Sequence, residues 1–225
     1  MKKFYFIVLM LLTMHAVSAQ KKTAKPAPIK AKPAITKTVS VYKDVMMGDQ
    51  RNTKYGQFFI AKTGKVVDLD AAKEMPEDAS LVFFREYGDN VLLTFPGNAR
   101  EASAFKSEYA ENPLFSESTG GVDAWEQGLV MTGDIVASDL KTDQFNEITQ
   151  NLTWKSFSQN FIVANGGTNK VGGISYVTPD NGKVYLIRLN NTLRALLLVK
   201  SVIRSGTKSG SIKFDIIVEK TIGEK

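Results

Sequence analysis

The sequence predicts a mainly β fold, an antiparallel sandwich or open barrel, with two short α-helices inserted between about residues 98 and 152. Short apolar runs recur with a two-residue period, most clearly in the run of Ile212, Phe214, Ile216 and Val218. This period is typical of a strand with one face in the core and the other mostly in water. Turn residues separate the runs at hairpin spacing, and a helical spacing of apolar residues is confined to the middle of the chain.

Each predicted strand has a local signal. Val39, Val41 and Val45 indicate an opening strand, and two hairpins follow because Gly64 and residues 88–90 supply turns between apolar runs. The remaining predicted strands are 55–61, 65–69, 81–87, 91–95, 161–164, 174–178, 183–189, 193–203 and 211–219. The C-terminal strands would form an antiparallel meander.

The helices are predicted from capping residues and apolar stripes. The first would begin at Asn98, an N-cap type of residue with Glu101 three positions later, and would end at Pro113. The second would cover residues 138–150, and a single helical turn is expected at 70–73. The apolar stripe of the second helix consists of Leu140, Phe145, Ile148 and Leu152.

The N-terminal region predicts export. Residues 1–19 read as a secretory signal peptide, with a basic start, an apolar stretch and small residues before a cut at Gln20. Residues 20–38 are rich in lysine, proline and alanine and predict a flexible linker, which leaves residues 39–225 as a single mainly β domain. No cysteine is present to accept a lipid, and no later apolar run reaches the ~18 residues of a transmembrane helix. We therefore expect a periplasmic or secreted protein.

The basic overall charge does not indicate nucleic-acid binding. The chain has 29 Lys and Arg residues, 23 Asp and Glu residues and a formal net charge of +6. Nine of the lysines precede Asp44, whereas no acidic residue does. The predicted domain is therefore slightly acidic. It lacks the excess of Lys and Arg over Asp and Glu that is typical of nucleic-acid-binding domains.

Two side chains of common catalytic use are missing from the predicted mature chain. The only histidine, His15, lies in the signal peptide, and the chain contains no cysteine. The commonest general base, the commonest transition-metal ligands and the thiol nucleophile are thereby excluded. We expect no metal and no cofactor, and the absence of disulfides means that an apolar core must stabilise the fold.

Carboxylates could still catalyse glycoside hydrolysis, since that reaction needs only a pair of acidic residues. The segment Asp68-Leu69-Asp70 is interpreted as a turn, because no further ligands of a calcium loop follow it. The acidic residues expected on loops or strand ends are Asp68, Asp70, Glu117, Asp123, Glu126 and Asp134.

The predicted binding residues are Trp125, Trp154, Asp123 and Glu126. Both tryptophans lie in or beside predicted loops, where an aromatic face could stack on a sugar ring, and the two acids flank Trp125. Most other aromatic residues lie on predicted strands, where they are usually partners in the core. These are Tyr55, Phe83, Tyr176 and Tyr185.

A set of short motifs occurs together in the first part of the chain. They are Tyr55-Gly56-Gln57-Phe58-Phe59, Thr63-Gly64-Lys65-Val66, Asp70-Ala71-Ala72 and Leu81-Val82-Phe83-Phe84. In these motifs and in its C-terminal strand pair, the chain resembles uncharacterised exported cell-envelope proteins of Bacteroidota. The resemblance implies a cell-envelope location and a mainly β fold, and it implies no activity.

These observations predict an exported, envelope-associated binding or structural module that is not an enzyme. It would reach a glycan or an envelope protein from a flexible tether. Two alternatives stay open. One is a carboxylate-based glycan hydrolase, and the other is an exported inhibitor or effector that binds a protein partner through an edge strand.

Overall fold

The computed structural model describes residues 36–86, 90–101, 112–126, 128–167, 176–189, 193–204 and 209–222. The predicted signal peptide and most of the predicted linker lie outside these residues. The strands are β1 Thr36–Gly48, β2 Phe58–Ile60, β3 Lys65–Val67, β4 Ala79–Arg85, β5 Val91–Thr94, β6 Gly133–Ala137, β7 Tyr176–Val177, β8 Val184–Leu189, β9 Leu193–Ile203 and β10 Ser211–Ile222. The helices are α1 Leu69–Ala72, α2 Pro96–Glu101, α3 Thr142–Gln150 and α4 Trp154–Ala164.

The described strands form two antiparallel sheets of five strands each, which confirms the predicted mainly β class. Sheet A has the order β1-β10-β9-β8-β6, and sheet B has the order β3-β2-β4-β5-β7. The two predicted hairpins are present as β2–β3 and β4–β5. Residues 87–89, the turn of the second hairpin, lie outside the described residues.

The two sheets pack face to face as a sandwich around one apolar cluster. Phe59 and Phe83 of sheet B and Leu197 and Phe214 of sheet A are fully buried in this cluster. The rings of Phe59 and Phe214 meet edge to face with their centroids 5.6 Å apart, a favoured arrangement for aromatic pairs. The sandwich core therefore joins the first half of the chain to the last strand.

Each sheet is also covered on its outer face. Helices α3 and α4 cover sheet A, where Phe145 and Phe161 pack with Leu196 and Ile217. The outer face of sheet B is covered by α2 and by residues 112–126. The aromatic members of that second outer cluster are Phe58, Phe84, Phe115 and Trp125.

The prediction that the outer face of the last strand is mostly exposed to solvent is therefore wrong. Ile217 and Glu219 of β10 are fully buried, because the helical layer lies over them. Asp215 on the same face is also buried, and Lys200 forms a salt bridge to it. Sheet A is consequently buried on both faces over much of its area.

Several predicted boundaries are corrected by the structure. Residues 161–164 are the end of helix α4 and not a strand. Helix α2 begins at Pro96, and the Asn98 side chain bonds the backbone of Gly133 instead of capping the helix. Helix α3 begins at Thr142, four residues after the predicted Ser138. The predicted continuation of the first helix, residues 102–111, lies outside the described residues.

Strand β1 defines two ends of the sandwich. It starts at Thr36, where the predicted linker enters, and it finishes at Gly48. Thirteen residues in a strand span about 40 Å at the usual rise. We call the two ends the entry end and the far end.

Candidate functional site

A cleft of about 670 Å³ opens at the far end of the sandwich. It lies between the loop of residues 50–57, which follows β1, and the segment that connects β3 to helix α1. Pro113 and Leu114 of the outer layer form another wall. The largest share of the lining belongs to one loop, so the structure of that loop determines the shape of the cleft.

The loop is held by its own amide side chains. Asn52 Oδ1 accepts hydrogen bonds of 2.9 Å from the backbone N–H groups of Lys54 and Tyr55, and Asn52 Nδ2 donates to the carbonyl of Gly210. The buried side chain of Gln57 donates to the carbonyls of Asp49, Asn52 and Tyr55. These bonds tie the loop to itself and to the start of β10, and they restrict its conformation.

The base of the loop is anchored by a buried carboxylate. Asp49 is fully buried, and its two carboxylate oxygens accept from the backbone N–H groups of Arg51 at 3.0 Å and Gly210 at 2.6 Å. A Cβ atom at Gly210 would lie 2.9 Å from that carboxylate. Gly210 thus allows the close approach that ties the loop to the start of β10.

Gly56 brings the loop against the opposite wall of the cleft. A Cβ atom on Gly56 would lie 2.3 Å from the carbonyl group of Val67 and 2.8 Å from the nitrogen of Asp68. Only glycine permits this contact between the two segments. Tyr55, the residue before it, is consequently held beside the segment that carries Asp68.

The ionisable groups of the cleft come from both walls. Lys54 lies 5.0 Å from the centroid of the Tyr55 ring, a cation–π distance. Asp68 is the N-cap of helix α1, and its Oδ1 accepts from the N–H of Ala71. Asp70 receives a 2.6 Å hydrogen bond from Lys73, outside the lining, and this bond raises the pKa of the Lys73 ammonium.

The structure separates the predicted binding residues into two groups. Trp125 is buried against Phe58, and its indole N–H donates to the carbonyl of Gly120. Asp123 and Glu126 adjoin it in the layer over sheet B, whereas Trp154 lies in the helical layer over sheet A. None of these four residues lines the cleft. Their role in binding stays a prediction.

Trp154, which is 38% exposed, belongs instead to an ionic network around the buried carboxylate of Glu219. Its indole N–H donates to Glu219 Oε1 at 2.8 Å, and Lys37 forms a 3.2 Å salt bridge to the same oxygen. Arg194 binds both carboxylate oxygens of Glu219 and lies over the rings of Phe157 and Phe161. This network fastens α4 to sheet A near the entry end.

The pKa of Glu219 reflects two opposed effects. Burial, the largest single effect, raises it, but the hydrogen bonds from Arg194, Trp154 and Lys37 and the positive charge of Arg194 lower it, so the pKa lies below its usual value. At neutral pH this carboxylate is ionised and forms an ion pair with Arg194. Asp134 forms a salt bridge with Arg188, its register partner on β8.

The cleft brings together two of the acidic residues that the sequence singled out, Asp68 and Asp70. The other candidates are dispersed, with Glu117 and Asp123 in short 3-10 turns and Asp134 in sheet A. Among the described residues no group of three or more acidic or histidine side chains could hold a metal ion.

Sequence reasoning missed Asn52 and Gln57, whose side chains shape the cleft. Tyr55, on a predicted strand where most aromatic residues are partners in the core, lines the cleft instead and is only partly buried. Phe83 and Tyr185 are buried in the sandwich core as expected. The one available signal was the density of polar residues between β1 and β2, which is also typical of an ordinary loop.

Comparison with known proteins gives no relative: no protein family, curated protein or solved structure matches this chain. In the part of the chain that the structure describes, no helix has the length and apolar character needed to cross a membrane. The function is therefore argued from the cleft itself.

Proposed function

We propose that this chain is an exported, envelope-associated binding module, not an enzyme, and that it takes a glycan in the far-end cleft. The observation that supports this most directly is the internal hydrogen bonding of the loop by Asn52 and Gln57. A site that is ordered before the ligand arrives loses less conformational entropy on binding. The lining combines amide and carboxylate groups with apolar side chains and a tyrosine ring, a mixture that suits the hydroxyl groups and the apolar face of a sugar.

The position of the cleft also supports a tethered module. The predicted linker enters at Thr36, and the cleft lies beyond the other end of the same strand, about 40 Å away. A domain attached through its N-terminal segment would thus present the cleft away from the attachment point. The expected location is the periplasm or the outside of the cell.

The test is a glycan array probed with the full chain and two variants. Asn52→Ala removes the bonds that order the loop and should abolish binding. Trp154→Phe keeps the far end unchanged and should leave binding intact. If no glycan is bound, the proposal is wrong. If binding is lost in Trp154→Phe and kept in Asn52→Ala, the site lies at the helical layer.

The hydrolase alternative is favoured by one observation, the presence of Asp68 and Asp70 in the same cleft. A glycosidase needs a general acid, which usually lies in an apolar pocket. The Asp70 side chain is instead 84% exposed and forms a salt bridge with Lys73. Release of reducing ends from a bound glycan, lost in Asp68→Asn with binding retained, would establish the hydrolase instead.

The edge-strand alternative is less compatible with the edges of the two sheets. The edge strand β1 contains a bulge at Lys43 and Asp44, where Asp44 has φ 55°, and edge β3 has only three residues. Bulges, charges and short strands are the usual means of preventing pairing with another chain. A pull-down that is abolished by a proline in β6, the other edge of sheet A, would support this alternative.

A further inference from the structure

The cleft already contains an internal cation against an aromatic ring. The ammonium nitrogen of Lys54 lies 5.0 Å from the centroid of the Tyr55 ring, and both residues line the cleft. Lys54 is exposed, whereas Tyr55 is partly buried and its segment is fixed by Asn52. An aromatic face attracts a cation through its quadrupole. The ring is therefore a fixed acceptor, and the ammonium over it is on a flexible side chain.

The cleft offers a carboxylate to a cationic ligand group. Among the described lining residues two carboxylates, Asp68 and Asp70, are opposed by one ammonium, Lys54. Asp70 is also paired with Lys73, whereas one oxygen of Asp68 caps helix α1. Gly56 holds the Tyr55 segment against the backbone of Asp68. An aromatic face and a carboxylate thus lie on adjoining segments, a combination that suits an ammonium ion.

The backbone of the loop favours a saccharide over a peptide. The N–H groups of Lys54 and Tyr55 are bonded to Asn52, and the carbonyl of Tyr55 accepts from Gln57. The carbonyl of Gly56 accepts from the N–H of Gly48. Peptides that add as a strand are recognised through backbone groups of the receptor, and in this loop those of Tyr55 and the carbonyl of Gly56 are already bonded within the protein. A saccharide would bind through its own amine and hydroxyl groups to side chains.

We propose that the cleft recognises a primary amine on a sugar, so that its ligands are glycans with unacetylated amino groups. This inference rests on the proposed function and specifies its ligand. The ammonium of the sugar replaces that of Lys54 over the Tyr55 ring and lies next to Asp68. No covalent step is involved.

The experiment is a calorimetric titration of the full chain with two oligosaccharides of equal length. One is an oligomer of glucosamine and the other its fully N-acetylated form, both at a pH at which the free amine is protonated. The two ligands differ in charge at the amino group. We expect the free-amine oligomer to bind at least about tenfold more tightly, from the combined cation–π and carboxylate interactions.

Three variants test the residues. Tyr55→Leu removes the aromatic face and should weaken binding of the free-amine oligomer about fivefold, whereas Tyr55→Phe keeps the ring and serves as its control. Lys54→Met removes the competing ammonium and should tighten binding about two- to fivefold. A purely structural role of Lys54 would not give tighter binding.

The outcomes are distinct. Equal affinity for both oligomers, lost in Asn52→Ala, overturns amine recognition and leaves the glycan-binding module intact. If neither oligomer binds, this inference is wrong, and the glycan array then tests the proposed function separately. Binding of a lysine-rich peptide with the same dependence on Tyr55, without binding of the free-amine oligomer, overturns the assignment to a sugar. Weaker binding in Lys54→Met overturns the displacement of Lys54.

Discussion

At the scale of single residues, the fully buried carboxylate of Glu219 stands out, because it is held by Arg194, Trp154 and Lys37. Glu219→Gln leaves Arg194 buried without its counter-charge. We expect this variant to lose about 3–5 kcal/mol of unfolding free energy at pH 7, measured by urea denaturation. The double variant Arg194→Met, Glu219→Met should lose less, because it buries no unpaired charge. An unfolding free energy of Glu219→Gln equal to that of the wild type would contradict this account.

The same residue gives a pH dependence of stability. The folded-state pKa of Glu219 lies below its usual value near 4.5, because its hydrogen bonds and the positive charge of Arg194 together outweigh the effect of burial. The contribution of Glu219 is therefore complete above pH 4.5 and is lost as the pH falls through the lowered pKa. The difference in unfolding free energy between wild type and Glu219→Gln should shrink on acidification. A constant difference from pH 7 down to pH 3 would exclude this linkage.

Asp44 is an exposed carboxylate with an unusual titration. Hydrogen bonds from Lys213 and then Lys200 lower its pKa from 3.8 to about 2. Its contribution to stability is present above pH 3.8 and is lost as the pH falls towards about 2. A pH titration followed by NMR of the Asp44 carboxyl carbon should have its midpoint near pH 2. The Lys213→Met variant should move that midpoint back towards 3.8. A midpoint of 3.8 in the wild type would disprove the interaction.

At the scale of elements, the β2–β3 turn fits against strand β1. Gly64 has φ 74°, and a Cβ atom there would lie 2.1 Å from the Tyr42 ring. Gly182 has φ 72° in open space. Alanine at either position imposes the same backbone strain, about 1 kcal/mol. Gly64→Ala should cost about 1–3 kcal/mol more than Gly182→Ala in urea denaturation. Equal losses would mean that Tyr42 moves aside freely.

The elements that the sequence predicted correctly are those with a strong local pattern. The β2–β3 and β4–β5 hairpins follow from turn residues between apolar runs, and strands β8 to β10 follow from apolar runs of strand length bounded by turn residues. The prediction of a strand at residues 161–164 is wrong because an apolar run of four residues is too short to show either a strand or a helix period. Phe161 is one turn after Phe157 on the buried face of α4, and the capping residue Thr153 carried the missing signal.

At the scale of the whole molecule, local sequence patterns do not predict the layers that cover the outer faces of the two sheets. Alternation in β10 distinguishes two faces, but it does not say whether helices α3 and α4 fold back over the second face. The cleft was unpredictable for a similar reason. It depends on contacts between residues distant in sequence, such as Asn52 with Gly210 and Gly56 with Asp68.

The layered arrangement also predicts how the molecule unfolds. Each sheet contributes to the sandwich core with one face and to an outer cluster with the other. Loss of either outer layer would expose a sheet face that the sandwich cannot cover, so the layers should unfold together. The two tryptophans of the chain report on opposite sides, since Trp125 belongs to the layer over sheet B and Trp154 to the helical layer over sheet A.

Single-tryptophan variants make this testable. Trp154→Phe leaves only Trp125 as a fluorophore, and Trp125→Phe leaves only Trp154. In each variant we expect the fluorescence transition in urea to coincide with the far-UV circular dichroism transition, although Trp154→Phe should unfold at lower urea because Glu219 loses a hydrogen bond. If Trp154 fluorescence changed at lower urea than the circular dichroism of the same variant, the helical layer would be an independent unit. The ionic network around Glu219 would then not couple it to the sandwich.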